Sequence, residues 1–206
     1  MPHHRISVSR TNTKMHCPSL SLPPGLTCLP GVPCLGEGCY ADRMYHRGIH
    51  PGIKKSYDAN WALYRADSVA FFDQLSGWFH YDSPRYFRWF VSGDIPDLSF
   101  FNLMLHTCRI TPGTKHLCFT KRADVLEKWA TLGFDHSDLP ANLSLLYSVW
   151  PGVRVPEAAV LCDAYAYIST DPRTADLPAS SACPGDCADC GRRCWHTPTD
   201  VVFPKH

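Results

Sequence analysis

Tyr86-Phe87-Arg88-Trp89-Phe90-Val91, closing on Ser92-Gly93-Asp94, is the stretch that decides the fold. It is an apolar run rather than a strict alternation, so it reads as a strand covered on both faces, and the Ser-Gly-Asp turn ends it. Downstream the chain predicts a helix over 97–108 that Asp97 can cap, then a strand at 116–120. A helix over 124–132 stops at Gly133, and a strand at 143–149 stops at Pro151-Gly152. Further strands are expected at 158–162 and 165–169. The strands at Phe87 and Leu117 lie 30 residues apart, and Leu143 follows 26 residues later, the rhythm of βαβ units in a parallel sheet. Upstream, Ser19-Leu20-Ser21-Leu22 is a short strand halted by Pro23-Pro24-Gly25. A brief helix from Tyr40, a break at His50-Pro51-Gly52 and two amphipathic helices over 54–66 and 68–80 complete the pattern.

These elements define an α/β protein in which parallel strands alternate with helices. Three segments are expected: an arm over 1–16, the α/β body over 17–170, and a linker leading into a Cys-rich tail over 171–206. At 206 residues with 45% hydrophobic content the chain is large enough for a real core. It has no run of 18 apolar residues and no apolar core after Met1-Pro2-His3-His4-Arg5, so neither a membrane span nor export is expected, and the expected location is cytoplasmic. The net charge is +1, but residues 1–65 carry eight Lys/Arg against three acids, +5, leaving −4 for the remainder. A solvated basic face or an anionic ligand accounts for this asymmetry.

Eleven cysteines in a non-exported chain are read as thiols. Cys183, Cys187, Cys190 and Cys194 form C-x3-C-x2-C-x3-C-W, a contiguous run of the kind that wraps an iron–sulfur cluster, with a zinc knuckle as the alternative. Cys28, Cys34 and Cys39 lie in the loop after the first strand. Three thiolates would leave a fourth metal position open, as in sites that do chemistry. Cys17 could close that site, although the intervening strand would carry it about 13 Å from the start of the loop.

Polar groups also recur where strands end, at Ser92-Gly93-Asp94, Thr120-Lys121-Arg122, Ser148 and Ser169-Thr170. Ligands of parallel α/β sheets and barrels sit at that edge. Gly93 would admit a ligand close to the backbone, Asp94 could accept from an amine or a ribose hydroxyl, and Lys121 could meet a carboxylate or phosphate.

The order of these motifs resembles the small phage and bacterial proteins called the gene product 88 family. The matching stretches are Ser19 to Gly25, Cys39-Tyr40-Ala41, Asn60-Trp61, Val91-Ser92-Gly93-Asp94, Phe119-Thr120-Lys121 and Cys194-Trp195. The layout is also similar to the radical S-adenosylmethionine superfamily, which implies a partial (βα) barrel of parallel strands with a Cys-rich, cluster-binding C-terminal tail. By that resemblance Cys28, Cys34 and Cys39 hold a [4Fe–4S] cluster with one iron left for S-adenosylmethionine. Ser92, Gly93 and Asp94 stand where the methionine amine is received, and Ser148 where the ribose is met. Cys183, Cys187, Cys190 and Cys194 hold a second cluster. The C-x5-C-x4-C spacing and a Tyr after the third Cys depart from the superfamily's C-x3-C-x2-C, where an aromatic precedes it.

The leading expectation is an enzyme that cleaves S-adenosylmethionine to start radical chemistry, fed by an electron donor such as flavodoxin or ferredoxin. A non-catalytic iron–sulfur carrier or redox sensor is the alternative. A zinc-stabilised nucleic-acid-binding module is the third, opposed by the low net charge and the lack of a basic stripe with interleaved aromatics.

Overall fold

The computed structural model describes residues 5–36, 38–47 and 51–205. Residues 1–4 of the expected arm, and His50 of the expected helix break, lie outside the described residues. Six parallel strands form one sheet in chain order: β1 (Ser19–Leu20), β2 (Tyr86–Trp89), β3 (Lys115–Thr120), β4 (Leu143–Ser148), β5 (Ala164–Ile168) and β6 (Val201–Phe203). The register sets Ser19 beside Arg88, Trp89 beside Cys118, Thr120 beside Tyr147, and Ala166 beside Val201.

Helices α1 (Pro33–Gly36), α2 (Tyr40–His46), α3 (Pro51–Ala66) and α4 (Ser68–Asp82) connect β1 to β2. α5 (Leu98–Ile110) and α6 (Ala123–Thr131) make the next two crossovers. Local chemistry fixes their ends. The Asp67 carboxylate accepts from the Ala70 N–H at 2.9 Å, and Asp97 accepts from Phe100 at 2.8 Å, satisfying donors that a helix start leaves free. Among the described residues no helix is long and apolar enough to cross a membrane.

Strand residues alternate between two apolar layers. Phe87, Trp89, Cys118, Leu143, Leu145 and Tyr147 pack with Phe71, Phe79, Phe100, Phe101, Leu126 and Trp129 in the layer beneath the helices. Each of these large rings, fully buried, removes apolar surface worth about 1.5–3 kcal/mol. His116 sits in this layer as a neutral ring: burial pushes it down to about 3, and its nitrogens meet the Trp89 indole N–H and the Thr111 hydroxyl. Leu117, Leu146, Ala164, Ala166 and Val201 face the opposite layer, where Met15, Cys17 and Trp195 cover them. The run-like composition of β4, with five consecutive buried residues, follows from having both faces covered.

Two elements differ from the sequence reading. Residues 157–161 form a 3-10 helix between β4 and β5, not a strand. The short apolar run Ala158 to Cys162 carries no period that separates a strand from a buried turn, and Pro156 opens it as a helical start. The chain end, in turn, contributes β6. Ala182 pairs alongside Val202 on the outer edge of β6, and residues 183–196 then fold across the face opposite the helices. α7 (Arg193–His196) places Trp195 there, with its indole N–H donating to the Phe87 carbonyl at 3.3 Å. The segment over 171–182 is anchored by Asp171, whose carboxylate is paired with Arg173.

Candidate functional site: two thiol groups on one sheet

The loop after β1, the turn after β2 and the start of α6 are tied into a single rim at the C-terminal edge of the sheet. Asp94 does most of the tying. One carboxylate oxygen accepts from the Ile95 N–H at 2.8 Å and the Thr120 hydroxyl at 2.7 Å, and the other accepts from the Lys121 N–H at 2.8 Å. Arg122 is buried and donates through one nitrogen to the carbonyls of Thr27, Ile95 and Pro96, while its other nitrogens grip Asp124. Thr27 completes the knot, donating to Pro23 and accepting from the Asp94 N–H. A buried charge is tolerated only when hydrogen-bonded in this way.

Two expected ligand residues therefore have different work. Asp94 has three acceptor positions engaged by its own chain, and burial pushes its carboxyl up against those bonds. Gly93 holds φ of 77°, and a Cβ there would lie 2.6 Å from Thr27 Oγ1 and 2.7 Å from the Leu22 carbonyl oxygen. The close approach that Gly93 permits in this structure is to the loop after β1. Ser92 differs from both: its hydroxyl is the buried side-chain oxygen without a hydrogen-bond partner among the described residues. Ser148 ends β4 at the same edge and is half-buried.

Cys28, Cys34 and Cys39 come together on this rim. The Cys34 thiol donates to Cys39, which pushes Cys34 up and holds Cys39 down at about 6, helped by the Asp42 and Ala41 N–H groups at the start of α2. Burial pushes Cys28 up to about 11, with Asp94 and Cys39 on one side of the balance and Lys121 on the other. Lys121 lies within electrostatic reach of all three thiols. Tyr40, next to Cys39, donates to the Val91 carbonyl at 2.7 Å and fastens the loop to the end of β2.

The tail thiols form a second group on the sheet face opposite the helices. Cys187 is within electrostatic reach of Cys190, Cys183, Cys194 and Cys17, and burial pushes it up to about 12. Cys183, Cys190 and Cys194 line a cavity of about 20 Å³ together with Arg193 and Asp200. Cys17 thus belongs beside the tail and not with the rim thiols. Between the groups lies Arg88, stacked 4.1 Å over Phe119 and within electrostatic reach of Cys17 and Cys194 at one end and Tyr40 at the other. All eleven cysteines are free, and among the described residues no three Cys, His, Asp or Glu side chains stand at metal-holding spacing.

Sequence reasoning missed Thr27, Arg122 and Asn60 as builders of the site. Asn60 is buried on α3 and bonds Ser7 through both its amide groups and the Ser21 carbonyl, fixing the exit of β1. The Asn60-Trp61 pair was a visible signal, as was Arg122 after Thr120-Lys121.

A parallel α/β protein with thiols at the carboxyl edge of its sheet is the class that fold and site define. The chain belongs to the gene product 88 family, whose profile matches residues 5–152. That span contains the rim thiols and the strand ends at 92–94, 121 and 148, and it stops before the tail cysteines. No curated protein and no solved structure matches the chain.

Proposed function

We propose that this chain is a radical S-adenosylmethionine-like iron–sulfur enzyme on a partial (βα) barrel, acting on a substrate that the sequence does not name. The observation that carries the reading is the convergence of Cys28, Cys34 and Cys39 beside Lys121, with Cys17 held elsewhere. The donor types, three soft thiols with no fourth protein sulfur at the rim among the described residues, are those of a cluster, while their present spacing is not that of a metal site, so the loop would have to draw in around it. A [4Fe–4S] cluster held there would supply the electron that cleaves S-adenosylmethionine, replenished by a flavodoxin- or ferredoxin-type donor.

The chain's own residues take positioning roles. Lys121 offers a cation for the cofactor's carboxylate, Ser92 a buried hydroxyl still lacking a partner, and Ser148 a polar group at the next strand end. Asp94 and Gly93 hold the rim rigid behind them. In the tail, Cys183, Cys190 and Cys194 around a small cavity supply the soft donors that a second cluster, or zinc as the alternative, would use.

Iron, zinc and sulfide content of anaerobically purified protein, followed by assay for 5′-deoxyadenosine, tests the reading. Iron and sulfide that disappear in Cys28→Ser/Cys34→Ser, with 5′-deoxyadenosine formed by the parent, support it. A stable cluster without S-adenosylmethionine cleavage would leave an electron carrier or redox sensor. A colourless zinc protein would end the radical reading.

A further inference from the structure

We propose that the edge of the sheet where the strands begin binds nucleic acid through its phosphate backbone. This surface lies at the opposite edge from the rim thiols and needs no cluster, so it stands apart from the radical reading above.

The sequence holds no basic stripe with interleaved aromatics, but the fold assembles a basic cluster around one ring from distant segments. Tyr86 opens β2 beside Lys115, the first residue of β3, and both leave the sheet on the face that the tail covers. The exposed Arg85 holds its guanidinium 5.4 Å over the Tyr86 ring, and Arg192 of the tail lies 4.6 Å over it. His196, also exposed, meets the same ring edge-on at 5.5 Å, with its Nε2 2.8 Å from the Tyr86 hydroxyl. Lys14 adjoins the cluster through the tail: its carbonyl accepts from the Cys187 N–H, and the Cys187 carbonyl accepts from the Arg192 N–H. Arg192 holds a left-handed φ of 59°, a conformation that non-glycine residues rarely adopt, and its guanidinium is tied to the Met15 carbonyl.

Carboxylates do not neutralise this group. Among the described residues Lys14, Arg85, Lys115 and Arg192 take part in no ion pair. Asp186 is within electrostatic reach of Arg192, but His16 Nε2 and the Ala188 N–H engage it. Asp82 at the end of α4 and Asp189 in the tail are exposed and pair with none of the four. Uncompensated cations held on an open surface attract a polyanion, and a guanidinium lying over a ring keeps its N–H fork for phosphate oxygens. At the same edge Tyr81, on the last turn of α4, is 86% exposed and offers a ring face on which a base can stack. Tyr81 and the half-exposed Ile110 at the end of α5 are too little apolar surface to enter a bilayer, so the charge pattern favours nucleic acid over a membrane.

Fluorescence anisotropy of a labelled single-stranded oligothymidylate, titrated with the full chain over a series of salt concentrations, tests the proposal. The parent is expected to bind, with log K falling linearly against log salt. Arg85→Glu/Lys115→Glu should weaken binding at least about tenfold and flatten the slope by about 1.4, two phosphate contacts at about 0.7 each. Arg154→Glu/Lys128→Glu makes the same change in net charge away from the patch and should stay within about twofold of the parent. Arg85→Ala, at an exposed side chain, should flatten the slope by about 0.7 and serves should the double reversal not fold. Cys28→Ser/Cys34→Ser should bind like the parent, which separates this surface from the thiol site. No binding by the parent at low salt, or an equal loss in both charge-reversed pairs, overturns the proposal. Displacement of the oligonucleotide by inorganic phosphate at unchanged ionic strength would make this a small-anion site and overturn it. Preference for phosphatidylserine vesicles over the oligonucleotide would make it a membrane surface and overturn it as well.

Discussion

The Thr120 hydroxyl donates to Asp94 at 2.7 Å, joining the end of β3 to the turn after β2. Asp94 also receives the Lys121 N–H, and this fixes where Lys121 leaves the strand. The cation beside the three rim thiols is therefore placed by a carboxylate that is held by two backbone N–H groups and the Thr120 hydroxyl. Asp94 fastens the site from within its own chain.

Gly93 tests how tightly that rim is closed. Gly93→Ala forces a side chain into a left-handed conformation and sets its Cβ against the Leu22 carbonyl, which is backbone and cannot swing aside. The expected loss is about 2–4 kcal/mol, combining the conformational and overpacking costs. Denaturant unfolding checks it, and an unchanged midpoint would mean that the loop after β1 gives way freely.

Thiol reactivity should follow the rim's hydrogen bonding. In metal-free protein Cys39, held at about 6 by Cys34 and the N–H groups of α2, is expected to react with iodoacetamide first at neutral pH. Cys28, pushed up to about 11, should lag well behind. Peptide mapping after brief alkylation reads the order, and faster modification of Cys28 would contradict the arrangement.

Asp171 gives a pH signature. Bonding to Arg173 holds this buried carboxyl below its ordinary value, and Arg173 in turn grips the Trp150 and Val153 carbonyls. A depressed acid stabilises the fold above its unfolded value of about 3.9 and loses that contribution as pH falls through the folded value. Asp171→Asn should cost about 1–3 kcal/mol at neutral pH, nearer the lower figure because Arg173 is a third exposed. The gap from the parent should shrink as pH falls below about 4, and a gap that widens in acid would reverse the assignment.

Much of the architecture was legible because it rests on local signals. Runs such as Phe87 to Val91 and Leu143 to Val149, and caps such as Asp97, announce buried strands and helix starts without tertiary help. β2 stops at Trp89 rather than running on, since Phe90 takes φ of 55°. Val201-Val202-Phe203 was invisible because three residues carry no period, and β6 exists only through its pairing with β5 and Ala182. In the candidate site, the nearness of Cys34 to Cys39, Cys28 and Lys121 was legible from loop and strand-end position, whereas the place of Cys17 depends on the Lys14–Cys187 and Met15–Arg192 bonds, which link residues far apart in sequence. Gly93 and Asp94 carry structural work that was not legible, because it depends on neighbours at Leu22, Thr27 and Thr120 that are distant in sequence.

The central claim is an open three-thiolate cluster at Cys28, Cys34 and Cys39. Paramagnetic resonance of the reduced, anaerobically reconstituted protein, recorded with and without S-adenosylmethionine, tests it most directly. The account predicts a cluster signal that shifts on adding S-adenosylmethionine, persists in Cys17→Ala and vanishes in Cys28→Ser/Cys34→Ser. A signal indifferent to S-adenosylmethionine, or one abolished by Cys17→Ala and retained without the rim thiols, would contradict it.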